Sequence, residues 1–249
     1  MNCTLVYKNE LVPNLFDFII KAPEIAQKAV PGQFVHVLCG GDTYLRRPIS
    51  ICETMDGEFV RFIFEVRGDG TTELAQKNTG DMIDVLGPLG RGFKTDLAES
   101  GTILLIGGGI GVFPLLQLAK ALNGKATALL GFRSESSVVL ANDFVKHCKN
   151  LFIATDDGTC GYHGYVTDIL KNIAENNKIN AMYTCGPKMM MKIVADVAKQ
   201  YDIPAQVSME ERMGCGVGAC VTCTCNVAGV RARVCKDGPI FYAKDVEWE

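Results

Sequence analysis

The pattern of apolar residues changes once along this 249-residue sequence, and that change limits the possible folds more than any other feature. Before residue 98, short apolar runs with period-two stretches, such as LFDFIIK, QFVHVL and FVRFIFEV, are separated by Gly, Pro, Asn and Asp. Such runs are typical of an antiparallel sheet or a small barrel. From Thr102, apolar strands of about five residues alternate with amphipathic helices, which predicts a parallel sheet covered on both faces. The expected class is therefore a multidomain protein with α+β and α/β parts.

Three regions follow from this change and from the composition of the C-terminal end. We place them at residues 1–98, 99–208 and 209–249, with the polar stretch DLAESG near residue 98 as a linker. The last region is rich in Cys and Gly and is too short to bury an apolar core of its own. We therefore expect a bound metal to stabilise it.

Charge and cysteine content argue against several classes of protein. The net charge of -3 gives no electrostatic reason to expect nucleic acid or an anionic membrane surface. No signal-peptide pattern is visible, and the odd number of cysteines, eleven, is typical of a reducing compartment such as the cytoplasm. The uncharged stretch from Gly101 to Ala119 has a glycine cluster and a proline in its middle. We interpret it as strand, turn and helix and expect no membrane span.

The stretch MGCGVGACVTCTC, from Met213 to Cys225, indicates a metal centre. The candidate ligands have the spacing C-x4-C-x2-C-x11-C and are Cys215, Cys220, Cys223 and Cys235. The first three reproduce the loop of plant-type [2Fe–2S] ferredoxins, and interleaved glycines allow backbone amides to point at sulfur. Structural zinc sites usually consist of two short C-x2-4-C pairs, so the spacing favours an iron–sulfur cluster over zinc. Cys225 is left over, and an exchange of its role with that of Cys223 stays open.

A glycine turn is the first candidate for nucleotide binding. ILLIGGGIGVFPLLQL places glycines between a buried strand and a helix, where backbone amides can approach a pyrophosphate. The strict G-x-G-x-x-G pattern fails at Val112, and the next strand ends in Arg133 and Ser134 instead of an acidic residue. From these residues alone, a nucleotide site and a tight structural turn are equally open.

Four further motifs each allow a functional and a purely structural interpretation. CGPKMMM and TDDG, which begin at Cys185 and Thr155, occupy strand ends where open α/β sheets bind ligands, or they are ordinary turns. LRRPISI, from Leu45, offers a guanidinium for phosphate or a solvated strand end. GDGTTELA, from Gly68, is either a plain helix cap or a second phosphate contact.

Seven motifs in one order make the chain resemble the ferredoxin–NADP reductase superfamily. They are LRRPISI, GDGT, VLGPLGRGF, GGGIGVFPL, CGP, SMEERMGCGVGAC and VCKDGPIF. More closely, the chain is similar to the electron-transfer subunits of the NAD-dependent, class 1B dihydroorotate dehydrogenases. The resemblance implies a six-stranded FAD-binding barrel over 1–98, an NAD-binding parallel-sheet domain over 99–208 and a small [2Fe-2S] domain over 209–249.

The resemblance also implies which residues bind the cofactors. For FAD they are Arg47, Pro48, Ile49, Ser50, Ile63, Phe64, Glu65, Gly70 and Thr71. For NAD they are Gly107, Gly108, Gly109, Gly111, Asp156, Cys185, Gly186 and Pro187. Relatives often carry arginine where this chain has Glu65, so we expect only a backbone contact there. NAD is favoured over NADP by the resemblance alone.

The implied function is a relay in pyrimidine biosynthesis. A separate catalytic subunit with FMN would oxidise dihydroorotate to orotate, and electrons would pass through [2Fe-2S] and FAD to NAD+. The complex would be a heterotetramer with two copies of each subunit. No residue of this chain is a candidate base for dihydroorotate, so we expect the chain alone to be inert towards it.

Two other functions remain open from the sequence. An NAD(P)H oxidoreductase subunit with the same FAD and [2Fe-2S] groups could serve ferredoxin, or a sulfide-oxidising or bifurcating enzyme. Alternatively, a zinc-stabilised binding module could use its glycine turns only for structure, and it would contain no flavin.

Overall fold

The N-terminal part of the chain folds into a closed antiparallel barrel. The computed structural model describes residues 1–41, 43–96 and 101–248. Six strands close the barrel in the order β1-β2-β5-β4-β3-β6. They are β1 (Asn2–Val12), β2 (Leu15–Lys21), β3 (Phe34–Leu38), β4 (Arg47–Met55), β5 (Phe59–Glu65) and β6 (Met82–Leu89). Two short helices, α1 (Pro23–Ala26) and α2 (Asp69–Ala75), lie between them. The predicted antiparallel barrel is confirmed.

Period-two alternation explains which side of each barrel strand is buried. On β3, Val35 and Val37 belong to the core inside the barrel. Phe34 points away from them and joins a different core, shared with the C-terminal part of the chain. Successive strand residues face opposite sides, so His36 also points outwards from the barrel. The outer face of β3 thus lies towards the cysteine-rich region.

The second part of the chain is built around a seven-stranded sheet in the order β10-β9-β8-β7-β11-β12-β15. Its strands are β7 (Thr102–Gly108), β8 (Ala126–Phe132), β9 (Asn150–Thr155), β10 (Tyr162–His163), β11 (Ile179–Cys185), β12 (Ala205–Ser208) and β15 (Ile240–Tyr242). The helices are α3 (Phe113–Leu122), α4 (Ala141–His147), α5 (Val166–Asn176) and α6 (Lys188–Gln200). The stretch from Gly101 to Ala119 is strand, turn and helix, as predicted.

The helices cover both faces of the sheet because alternate residues of its buried strands are apolar on both sides. On β7, Leu105 packs in the core that contains α3 and α4, whereas Leu104 and Ile106 pack in the core that contains α5 and α6. This arrangement confirms the predicted covered parallel sheet. No helix among the described residues is both long enough and apolar enough to cross a membrane.

The cysteine-rich region is joined to the large sheet. It contains a hairpin of β13 (Thr224–Val227) and β14 (Val230–Arg233), followed by β15, which pairs antiparallel with β12. The sequence predicts a parallel sheet and does not indicate this antiparallel edge strand. The predicted linker near residue 98 lies outside the described residues, because residues 97–100 are not described. The three domain boundaries stay predictions.

Candidate functional site

The structure brings the four predicted ligand cysteines together. The backbone amides of Val217, Ala219 and Cys220 lie 3.5, 3.2 and 3.4 Å from Cys215 Sγ. The Cys215 amide in turn donates to Cys220 Sγ at 3.4 Å. These contacts wrap the loop around its own sulfur atoms, which is the arrangement that stabilises thiolates.

The second pair of cysteines is tied to the same loop. The Cys235 amide donates to Cys223 Sγ at 3.4 Å, and the Gly218 amide donates to Cys235 Sγ at 3.1 Å. Arg233 Nη1 donates to the Gly218 carbonyl at 3.1 Å and holds the loop from its far side. All four sulfur atoms therefore share one loop system, which fits a metal cluster with thiolate ligands.

The electrostatic surroundings of these thiols differ. Hydrogen bonds from Thr222 lower the pKa of Cys220 to about 6, and the Cys220 amide lowers the pKa of Cys215. Burial raises the pKa of Cys235 to about 12. A coordinating cation deprotonates such a thiol outright, so the raised pKa of a buried ligand does not oppose metal binding.

Cys225 occupies a different environment from the other four. It lies on β13 opposite Ala232 of β14, half-buried. Burial raises the pKa of its thiol. The hairpin holds it in a regular strand, whereas Cys223 receives an amide hydrogen bond from Cys235. This contrast supports Cys223 as the ligand.

The two adjacent arginines of LRRPISI have different partners. Arg46 donates to the Asp84 carboxylate at 2.6 Å and to the Asp84 carbonyl at 3.0 Å. The Arg47 guanidinium instead lies over Gly70. A Cβ added to Gly70 would lie 2.9 Å from Nη2 of Arg47 and 3.0 Å from its Nε. Two predicted FAD motifs, one on β4 and one on α2, therefore meet at a guanidinium. That cradle fits a phosphate group.

The remaining predicted FAD residues contribute less through their side chains. Ile63 packs in the core between the barrel and α3, and Phe64 packs inside the barrel. The Glu65 carboxylate accepts a hydrogen bond from Arg67 at 2.6 Å. The Thr71 hydroxyl caps its own turn, accepting from the Arg67 amide at 2.8 Å. Flavin contacts of these residues stay predictions, and for Ile63 and Phe64 they would involve the backbone.

The predicted NAD motifs interlock at the carboxyl ends of β7 and β11. An added Cβ on Gly111 would lie 2.4 Å from the Cys185 carbonyl oxygen, and one on Gly108 would lie 2.8 Å from Pro187 Cδ. The strand order reverses between β7 and β11, and such switch points are where open α/β sheets bind ligands. Asp156 follows β9, two strands away along the same edge.

Cys185 ends β11 opposite Ser208 of β12. Burial raises the pKa of its thiol to about 12, and a hydrogen bond with the Ser208 side chain acts in the opposite direction. Cys185 is therefore a neutral thiol near neutral pH, and it lies beside the glycine turn. Ser208 itself was missed from the sequence, where nothing distinguishes it from any other strand-end serine.

His36 is a second residue that the sequence analysis missed. Its side chain is completely buried and lies against Gly216 in the cysteine loop. The only signal in the sequence is a polar residue within the otherwise apolar stretch QFVHVL. That pattern does not reveal what the outward-facing histidine contacts.

Both the cysteine-rich region and the chain as a whole are similar to known proteins. A family model described as the iron-sulfur cluster binding domain of dihydroorotate dehydrogenase B matches residues 210–247. A protein from Desulforamulus reducens is 40% identical over 249 residues, covering 96% of this chain and 95% of that protein. One from Geobacillus thermodenitrificans is 40% identical over 254 residues, covering 98% and 96%. Both are named dihydroorotate dehydrogenase B (NAD(+)), electron transfer subunit.

Solved structures show the same fold. A structure of the NADH-dependent reduced ferredoxin-NADP oxidoreductase, studied for flavin-based electron bifurcation, has a TM-score of 0.87 and 32% identity. It covers 99% of this chain and 90% of that chain. A ferredoxin NADP+ reductase from Neisseria gonorrhoeae, with bound FAD and NADP, has a TM-score of 0.67 and 16% identity. It covers 81% and 91% of the two chains and supports the fold alone. With its iron–sulfur domain and its full-length relatives, the chain belongs to the family of the electron transfer subunits of NAD-dependent dihydroorotate dehydrogenase B.

Proposed function

We propose that this chain passes electrons from a dihydroorotate-oxidising partner subunit to NAD+. The observation that carries the proposal is the position of the cysteine loop, which lies directly on the outer face of the barrel where His36 meets Gly216. The neighbouring strand β4 carries the Arg47 cradle. When bound, a flavin exchanges electrons singly with a cluster and pairwise, as hydride, with a nicotinamide.

We propose that the cluster is of the [2Fe-2S] type, with Cys215, Cys220, Cys223 and Cys235 as ligands. The spacing of the first three and the amide contacts to their sulfur atoms support it. The three-plus-one spacing of these cysteines also differs from the two short C-x2-4-C pairs that are usual for structural zinc sites.

We propose that FAD is bound by the barrel, one molecule per chain. The Arg47 guanidinium over Gly70 would hold its phosphates, and the backbone of β4 and β5 would line its ring. The nicotinamide nucleotide would bind at the switch point between β7 and β11, against the glycine turn and Cys185-Gly186-Pro187. NAD is proposed over NADP because the named relatives use NAD(+).

The proposed partner is a catalytic subunit with FMN, in a complex with two copies of each chain in the cytoplasm. Its docking face would include the tip of the cysteine loop. There the Cys220 side chain is exposed, and Val217 and Val221 are 48% and 59% exposed. An apolar, exposed rim around a redox centre suits a partner that must bring its own cofactor close.

The test uses the native complex, purified anaerobically through a tag on this chain. We expect it to contain an FMN-bearing subunit and to reduce NAD+ with dihydroorotate. A complex that holds FAD and iron but ignores dihydroorotate would overturn the partner assignment. Reduction of ferredoxin by that complex would favour the second candidate, which rests on the 32% identity to a bifurcating enzyme over nearly the whole chain. A colourless protein with one zinc would overturn both.

A further inference from the structure

His36 carries a polar side chain in a position that normally holds an apolar one. It lies on β3 with none of its surface exposed. Among the described residues, neither Nδ1 nor Nε2 has a hydrogen-bond partner. Buried polar atoms in folded proteins nearly always have partners, because an unsatisfied one costs stability. The empty hydrogen-bonding capacity of this imidazole therefore needs an explanation.

The imidazole faces the cysteine loop. An added Cβ on Gly216 would lie 2.5 Å from His36 Nδ1 and 3.1 Å from its Cγ and Cε1. The ring is thus packed against the backbone between Cys215 and Val217. Gly216 has a φ of +72°, a conformation that favours glycine, so the loop comes this close only because it has no side chain there.

The surroundings of the imidazole disfavour its charged form and complete no hydrogen bond with it. Burial lowers the pKa of His36, and the positive charge of Arg46 lowers it further. The carbonyl groups of Arg46 and Cys215 act in the opposite direction without completing a hydrogen bond. An imidazole has at least one N–H donor in either of its protonation states. The strongest acceptors that the proposed cluster would add at this loop are sulfur atoms with negative charge.

We propose that His36 belongs to the cluster site, where its imidazole N–H donates a hydrogen bond from the barrel to a sulfur of the bound cluster. This inference rests on the proposed cluster and adds a residue outside the cysteine motif. His36 lies opposite Pro48 on β4, the strand that also carries Arg47. His36 therefore lies between the candidate flavin site on β4 and the cysteine loop. A hydrogen bond to sulfur stabilises the more negative, reduced cluster and raises its reduction potential.

The direct test is pulsed electron paramagnetic resonance on the chemically reduced native complex, labelled with 15N-imidazole histidine. The chain has three histidines, so a variant can identify the source of a signal. We expect an imidazole 15N coupling to the cluster that disappears in His36→Gln and persists in His147→Gln. His147 ends α4, which packs against α3 and β9. A native cluster signal without this coupling, or with a coupling that survives His36→Gln, would overturn the assignment.

A redox titration of the cluster provides the second measurement. In His36→Phe, which fills the space without a donor, we expect the ratio of reduced to oxidised cluster at a fixed potential to fall about tenfold. That ratio corresponds to about 59 mV for a one-electron couple. His36→Gln restores a donor and should stay near the native potential, and His147→Phe should not change it. Equal shifts in His36→Phe and His36→Gln would overturn the donor role. If the cluster does not assemble in His36→Phe, the 15N coupling measured in the native complex and in His36→Gln tests the proposal instead.

Failure of this inference can be separated from failure of the proposed function. A complex without iron would overturn the proposed cluster and this inference with it. A complex with a normal reduced-cluster signal and no histidine coupling would overturn only the role of His36.

Discussion

At the scale of single residues, the surroundings of each cysteine decide its chemistry. Cys3, Cys39 and Cys52 are buried, and burial raises the pKa of all three thiols. They behave as small apolar side chains. Cys215 and Cys220 instead have lowered pKa values because hydrogen-bond donors surround their sulfur atoms.

Cys220→Ser should therefore lose the cluster, whereas Cys225→Ser should keep it. Loss of a residue that only holds a metal ligand in place lowers metal affinity by roughly tenfold or more. Removing the ligand itself should lower iron retention by at least as much. FAD content and NADH-to-dye activity should stay largely intact in both variants. Iron and sulfide per chain are the measurement. A normal cluster in Cys220→Ser would contradict the ligand assignment, and loss in Cys225→Ser would give Cys225 the role of Cys223.

Arg47→Ala should weaken FAD binding, and Arg46→Ala is its matched control. A charge-assisted hydrogen bond contributes about 1.5–3 kcal/mol, which corresponds to a rise in Kd of about ten- to 150-fold. Arg46 is already bound to Asp84, so its loss should leave the Kd for FAD nearly unchanged. Flavin content after gel filtration and a fluorescence titration measure the effect. Equal losses in the two variants would show that Arg47 has no special contact with the flavin.

At the scale of elements, the nucleotide site depends on how closely the turn after β7 approaches the end of β11. Gly109 and Gly111 both lie in the short 3-10 turn over Gly109–Val112, but their surroundings differ. A Cβ on Gly109 would meet nothing within 4 Å, and its φ is +53°. A Cβ on Gly111 would overlap the backbone of Cys185 and Gly186. Gly111 therefore cannot accept a side chain unless the turn moves away from the end of β11.

Gly111→Ala should consequently cost more than Gly109→Ala. The Gly109 substitution adds only the strain of a left-handed residue, about 1–2 kcal/mol. The Gly111 substitution must move backbone, so we expect a larger loss of unfolding free energy and a raised KM for NADH in dye reduction. Urea unfolding and steady-state kinetics measure the two effects. If the two variants behaved alike, close contact between the turn and β11 would not matter for nucleotide binding.

At the scale of the whole molecule, an ion-pair network joins the barrel to the sheet domain. Arg61 on β5 donates to Asp17 at 2.8 Å and to Glu53 at 3.4 Å. It also lies 3.7 Å from Asp143 on α4, and Glu53 is bonded to Lys120 on α3. The side chains of Asp17, Glu53 and Arg61 are at most 14% exposed. The network therefore links barrel strands β2, β4 and β5 to helices α3 and α4 of the sheet domain.

Arg61→Met should be strongly destabilising because it leaves the buried carboxylates of Asp17 and Glu53 without their guanidinium. Removing one partner of a buried pair costs about 3–5 kcal/mol. Asp143→Asn is the control: its carboxylate is 31% exposed, and we expect a loss of less than about 1 kcal/mol. Urea unfolding of the isolated chain gives both values. A loss of less than about 1 kcal/mol in Arg61→Met as well would mean that the buried pairs add little to the junction.

Much of the fold and part of the candidate site could be predicted from local patterns. Barrel strands, the covered parallel sheet, the glycine turn before α3 and the spacing of the four cysteines depend on residues a few positions apart. Hydrophobic period, turn residues and ligand spacing act over that range. The antiparallel strand β15 was not predicted, because three residues at an edge carry too little pattern to show which sheet they join.

The sequence by itself determined the barrel strands, the strands and helices of the parallel sheet, their order and the chemical types of the candidate ligands. Only the tertiary structure decided that Arg47 and not Arg46 faces Gly70, and that His36 meets Gly216. Adjacent arginines look alike in sequence, and an outward-facing histidine looks like a solvated one. Their partners lie 23 to 180 residues away along the chain, and only packing of the barrel against α2 and the cysteine loop brings them into contact.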